Sequence, residues 1–149
     1  MPVMSKTDLS RLIPHGGAMC LLDAVEQWDE IRITCRTGSH RNAANPLRRG
    51  NQLEAICGLE YAAQAMAVHV GILNEKSANQ AVVGYLGAVR DLSIQVRSLD
   101  DVKTDLTIHA LRLIGDATTF IYTFRVSAEN RELLSGRASI FLKYPDQHT

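Results

Sequence analysis

QLEAICGLEYAAQAMAVHVGIL, residues 52–73, is the stretch whose reading decides the fold. From 55 to 73 almost every residue is apolar, and a helix that is apolar nearly all round is buried all round. Ala, Leu and Met favour helix, while Gly58 and Gly71 weaken it slightly. At about 1.5 Å per residue the segment runs roughly 30 Å, the diameter of a small domain or the width of a bilayer core. Glu60, Gln64 and His69 sit poorly in hydrocarbon, so the expectation is the central helix of a soluble domain and no membrane span. Glu60 and Gln64 are four apart and share one face, in a row with Cys57 and Val68. A carboxyl buried there is costly unless hydrogen-bonded, and it tends to keep its proton. That suits a general acid; a subunit interface or a backbone contact would account for it equally well.

The chain has 149 residues, enough for one domain with a proper core, and its sixteen basic and sixteen acidic residues cancel. Zero net charge argues against a nucleic-acid or membrane-surface binder driven by electrostatics. The opening MPVMSKTDLS lacks the apolar run of a signal peptide, which leads to the expectation of a cytoplasmic protein. Cys20, Cys35 and Cys57 are odd in number and widely spaced, with no metal-ligand pattern, so reduced buried thiols and no metal are expected.

Outward from the helix, residues 8–13 (DLSRLI) predict a short helix with Thr7 or Asp8 as N-cap, stopped by Pro14. Pro14-His15-Gly16-Gly17 reads as a turn, 19–28 as a strand, and the alternating 31–37 (IRITCRT) as its hairpin partner. Residues 38–50, GSHRNAANPLRRG, have no periodicity, and an aperiodic loop of that length is usually functional or disordered. His40 lies in it and titrates near neutrality, so it is either a base or a solvated loop histidine. After a polar loop at 74–80, strands are predicted at 81–96 (bent at Gly84 and Gly87), 105–114, 118–128 and 133–144. One helix followed by strands on tight turns implies an α+β architecture, an antiparallel sheet with the helix on one face. A helix apolar on every side further requires the sheet to curl round it. The sheet edges left over invite a partner subunit, at least a second copy.

This order, with several motifs, resembles the hotdog-fold dehydratases that act on 3-hydroxyacyl thioesters of acyl carrier protein. IPHGGAMCLLDAVEQWD, residues 13–29, resembles the family's Pro-His-x-x-x-Met-x-x-x-Asp opening, and Glu60-Tyr61-Ala62-Ala63-Gln64 its Glu-Ala-x-Ala-Gln signature. GYLGAVRDLSI and GRASIFL are similar to the strand after the helix and to the closing strand. The NPLRR and EYAAQAMA segments resemble in particular a divergent subgroup of predicted dehydratases from aryl-polyene-type clusters.

The resemblance implies a hotdog fold, a curved antiparallel sheet wrapped around one long buried helix. It puts the general acid at Glu60 and the family's glutamine at Gln64, with Gly58 and Arg48 as further substrate contacts. The family's catalytic histidine stands in a Gly-His-Phe-Pro loop; the histidine in a comparable loop here is His40, without the Phe-Pro and several residues further from Glu60. His15 is second choice. Ala55 replaces the glycine whose N–H binds the thioester carbonyl in the family. The implied reaction dehydrates a 3-hydroxyacyl thioester on acyl carrier protein or CoA to the trans-2-enoyl thioester, with no cofactor. Arg41, Arg48 and Arg49 would meet a phosphopantetheine phosphate or an acidic carrier. A homo-oligomer, or a hetero-oligomer with another hotdog dehydratase, would be the working form. A hotdog thioesterase and a non-catalytic acyl-binding or partner-binding subunit are the alternatives.

Overall fold

A computed structural model describes residues 3–13, 19–77 and 83–143. Strand β1 (Met4–Ser5) leads into helix α1 (Lys6–Ser10), followed by β2 (Ala24–Trp28) and β3 (Arg32–Thr37). Two short 3-10 turns, Ser39–Arg41 and Ala55–Cys57, precede the long helix α2 (Gly58–Ser77). Strands β4 (Val83–Ile94), β5 (Leu106–Gly115), β6 (Thr119–Ala128) and β7 (Arg131–Lys143) complete the chain. The curved antiparallel sheet around one buried helix is therefore the observed architecture.

Local chemistry sets most boundaries. Helix α1 begins earlier than expected because Ser5 is the cap: its Oγ accepts the Asp8 N–H at 3.4 Å. Asp29 Oδ1 turns β2 into β3 by accepting the N–H groups of Ile31 and Arg32, both at 2.9 Å. Asp116 does the same between β5 and β6, accepting from Thr118 and Thr119. Glu129 and Asn130 both have positive φ, 55° and 61°, the backbone that matches the twist of a tight hairpin.

The sheet order is β1-β2-β3-β5-β6-β7-β4, antiparallel throughout. This departs from a simple meander: after α2 the chain crosses to the far edge, where β4 pairs with β7. Two register shifts bend β4, between Leu86 and Val89 and between Arg90 and Ser93. Gly84, expected as a bend, is instead a point of close approach; a Cβ there would lie 2.8 Å from Ile140 Cγ2 and 3.5 Å from Val70 Cγ2.

Helix α2 touches β3, β4, β5, β6 and β7, so the sheet does curl round it. Tyr61, Ala62, Ala65, Met66 and Val68 are fully buried against Ile33, Cys35, Ile108, Tyr122, Phe124 and Val126. The helix meets the length and composition of a membrane span, yet 67% of its most apolar window is buried inside the chain. His69 is a satisfied core histidine: Nε2 donates to the Asp29 carbonyl at 2.7 Å, and Nδ1 accepts from the Tyr122 hydroxyl at 2.6 Å. Cys20 and Cys35 are buried as expected, and burial pushes the Cys35 thiol up to about 12, whereas Cys57 is half-buried.

Candidate functional site

The start of α2 and the loop before it hold every described residue that the sequence nominates. Glu54 is extended at the entry and bridges Ser98, and Ala55 opens the 3-10 turn with its N–H donating to the Arg97 carbonyl at 3.2 Å. The N–H that the family resemblance assigns to the thioester carbonyl is thus already engaged. Gly58 is engaged too. Its N–H closes the 3-10 turn onto Ala55 and Ile56, and a Cβ would meet Leu134 at 3.4 Å. Gly58, expected as a substrate contact, thus packs against Leu134 of β7.

Glu60 is half-buried and its carboxyl has no hydrogen bond or ion pair among the described residues. It opens into a groove of about 120 Å³ lined by Ile13, Ala63, Gln64, Ala67 and the Gly84–Leu86 stretch of edge strand β4. Gln64 borders the same groove, but its amide is spent on main chain. Oε1 accepts the Leu21 N–H at 2.8 Å and Nε2 donates to the Met19 carbonyl at 2.6 Å. It pins residues 19–21 to the helix, a positioning job that the sequence reading assigned to substrate binding.

His40 sits in the 3-10 turn Ser39–Arg41, wholly buried, so the solvated-loop alternative fails. Its Nε2 donates to the Val102 carbonyl at 2.9 Å. Nδ1 is then the bare acceptor of a neutral ring, and it is the single buried side-chain nitrogen or oxygen among the described residues with no partner. Burial holds the His40 pKa below its ordinary value, with the carbonyl contact and Asp105 pulling the other way. His40 does not line the Glu60 groove, so one protomer does not bring the two groups into a shared cavity. His15 lies outside the described residues.

The three loop arginines divide. Arg48 donates to the carbonyls of His40, Asn42 and Asn51, and Arg41 to the Lys103 carbonyl and the Asp105 carboxylate. Both brace the loop internally, and Arg48, expected as a substrate contact, has its guanidinium nitrogens bonded to main-chain carbonyls. Arg49 is exposed, with no side-chain bond or ion pair among the described residues.

The sequence reading missed the network that orders this loop. Asn45 Nδ2 donates to the Ser39 carbonyl and to the Tyr61 hydroxyl, both at 2.9 Å. Ser39 Oγ donates to the Leu21 carbonyl at 2.7 Å, so the 2.8 Å contact between Tyr61 and Ser39 has the phenol as donor. Thr37 Oγ1 joins at the same carbonyl, 2.5 Å away, and Asp23 accepts the Gly38 N–H at 2.8 Å. A tyrosine in the apolar stretch of the helix was the available signal, because a buried phenol needs a partner. A larger cavity, about 560 Å³, lies on the outer sheet face around Thr34, His109, Arg125 and Arg137 and includes no residue of α2.

A long apolar helix held in a curled antiparallel sheet, with a carboxyl and a polar loop at the helix start, defines a hotdog-fold protein of the dehydratase and thioesterase kind. The chain belongs to the ApeP-like (ApeP dehydratase) family, whose sequence model matches residues 7–148. Its backbone superposes on the dehydratase heterocomplex ApeI:P from Xenorhabdus doucetiae with a TM-score of 0.82 and 21% identity, covering 99% of this chain and 93% of that one. A thioesterase from Haemophilus influenzae gives 0.63 at 11% identity, covering 99% and 96%. A putative thioesterase from a Silicibacter species gives 0.65 at 14%, covering 96% and 94%. Among curated proteins none matches significantly.

Proposed function

We infer that the protein dehydrates a 3-hydroxyacyl thioester, carried on acyl carrier protein or CoA, to the trans-2-enoyl thioester. One observation carries the reading: of the polar groups gathered at the start of α2, the His40 Nδ1 lone pair and the Glu60 carboxyl are left without partners, while Gln64, Arg48, Tyr61 and Asn45 are committed. An unprotonated imidazole nitrogen can take the α-proton, and a carboxylic acid can protonate the departing 3-hydroxyl, which leaves as water. Arg49 remains available for a phosphate or an acidic carrier surface.

The groove at Glu60 is too small for a substrate, since ligand pockets hold about 300–1,000 Å³. One of its walls is the edge strand β4, where Tyr85 and Leu86 are exposed. A second hotdog chain pairing at β4 would enlarge the groove and supply the base from its own loop, so His40 and Glu60 act across that interface. The partner is another copy of this chain or a different hotdog dehydratase, as in the ApeI:P complex.

The full burial of His40 favours one other reading, a non-catalytic subunit that completes a partner's site. Incubating the purified protein, alone and with a hotdog dehydratase partner, with a 3-hydroxyacyl carrier protein separates the cases. Loss of one water from the acyl chain, by the protein alone or with the partner, that is abolished by Glu60→Gln in this chain supports the dehydratase; activity solely with the partner that survives Glu60→Gln and His40→Ala in this chain supports the second reading; release of free thiol would indicate a thioesterase.

A further inference from the structure

A network of hydrogen bonds connects the two halves of the candidate machinery within one chain. Ser39 immediately precedes His40, Tyr61 immediately follows Glu60, and the Tyr61 hydroxyl lies 2.8 Å from Ser39 Oγ. Asn45 closes a triangle by donating to both the phenol and the Ser39 carbonyl. From the same helix turn Gln64 holds the Leu21 N–H, while the Leu21 carbonyl receives Ser39 Oγ. The loop and residues 19–21 are thus fastened to α2 at Tyr61 and Gln64, and Glu60 beside them remains free of such bonds among the described residues.

We propose that Tyr61 is the positioning residue of the site, its hydroxyl fixing the His40 loop on α2 so that the imidazole keeps its Nε2 bond to Val102 and its Nδ1 lone pair bare. Tyr61 is fully buried, and its phenol donates to Ser39 and accepts from Asn45, so removing that one oxygen strands an amide hydrogen of Asn45 and cuts the direct bond from Ser39 to α2, leaving Ser39 to Leu21, Thr37 and Asn45 alone. Ser39 is one peptide bond from His40, and the ring itself is anchored on the main chain at Val102 and Thr104, 62 residues or more away in sequence. A turn that slips on the helix therefore moves the ring. Because the tether is intramolecular, it governs the loop whichever protomer supplies the carboxyl.

The proposal rests on the dehydratase reading for its kinetic arm and stands apart from it in its spectroscopic arm. Tyr61→Phe, with Ser39→Ala as a second entry point and Asn45→Ala as a third, is compared with the unaltered protein. The expected result is a kcat lowered roughly 10-fold or more with KM within about threefold, in protein whose circular dichroism and gel-filtration profile are retained. The imidazole 15N shifts of His40 should leave the Nε2–H tautomer pattern for an averaged one. The Tyr61→Phe and Ser39→Ala effects should not add, because they cut the same bond. His40 shifts unchanged in folded Tyr61→Phe would overturn the proposal, as would a kcat that falls solely in step with lost folded protein. Were Tyr61→Phe to unfold, Ser39→Ala carries the same two readouts. If the unaltered protein dehydrates no thioester, the dehydratase reading fails while the His40 shifts still decide the tether.

Discussion

His40 and Glu60 differ from their neighbours in having chemistry left over. If they act as base and acid, His40→Ala and Glu60→Gln should each lower turnover by roughly two to four orders of magnitude, measured by enoyl-thioester formation. Glu60→Gln should fold normally, since an amide keeps the shape, and His15→Ala should cost far less than either. A second outcome follows from burial at the same scale. His40, His69 and His109 are all held below their ordinary pKa, in each case chiefly by desolvation. The unfolded chain then binds more protons than the folded one below about pH 6.5, so stability falls as pH drops from that value through the lowered folded-state pKa values. Urea midpoints at pH 7.5 and 5.5 test the sign: the midpoint must be lower in acid. Individual residues were unevenly legible in the sequence. Glu60 and Gln64 stood out because polar groups on an apolar helix are conspicuous, and the aperiodic loop singled out His40. Tyr61, Asn45 and the destination of the His40 ring did not stand out, because their partners lie 16 to 62 residues away and no local period encodes them.

Elements were read more surely than their arrangement. The strands after α2 fall close to the expected segments, since turns such as Asp116 and Glu129-Asn130 carry their own chemistry, whereas the strand expected from residue 19 begins at Ala24. The start of α2 was misjudged by several residues because Leu53 and Glu54 are held extended by Asp100 and Ser98, and Ala55, bonded to Arg97, opens a 3-10 turn rather than the α-helix. That capture depends on a segment more than 40 residues downstream, so helix propensity alone overshoots it. The β6–β7 turn offers a test confined to backbone. Glu129 at φ 55° carries a Cβ in the left-handed region, a cost of about 1 kcal/mol that glycine avoids. Glu129→Gly should therefore raise the urea midpoint, and an unchanged or lower midpoint would show that the hairpin bears no such strain.

At the scale of the molecule, the exposed residues of β4 and the undersized groove at its inner side point to the same requirement for a second chain. Sedimentation at low micromolar concentration should give a species heavier than the 16.4 kDa monomer. Leu86→Lys, placing charge on that edge strand, should shift the population toward monomer and reduce dehydration in parallel; an unaltered sedimentation profile would move the interface elsewhere. The position of β4 has one more consequence, for the order in which the chain can fold. Its hydrogen-bonding partner is the last strand, β7, and no described strand made earlier pairs with it. During synthesis β4 therefore waits for its strand partner, with α2 alone to cover it, until residues 131–143 have emerged. Sheet closure is a late, long-range event, which predisposes this fold to slow refolding and to capture of β4 by neighbouring chains. The edge that would join two finished subunits is the same one that leaves an unfinished subunit open to aggregation.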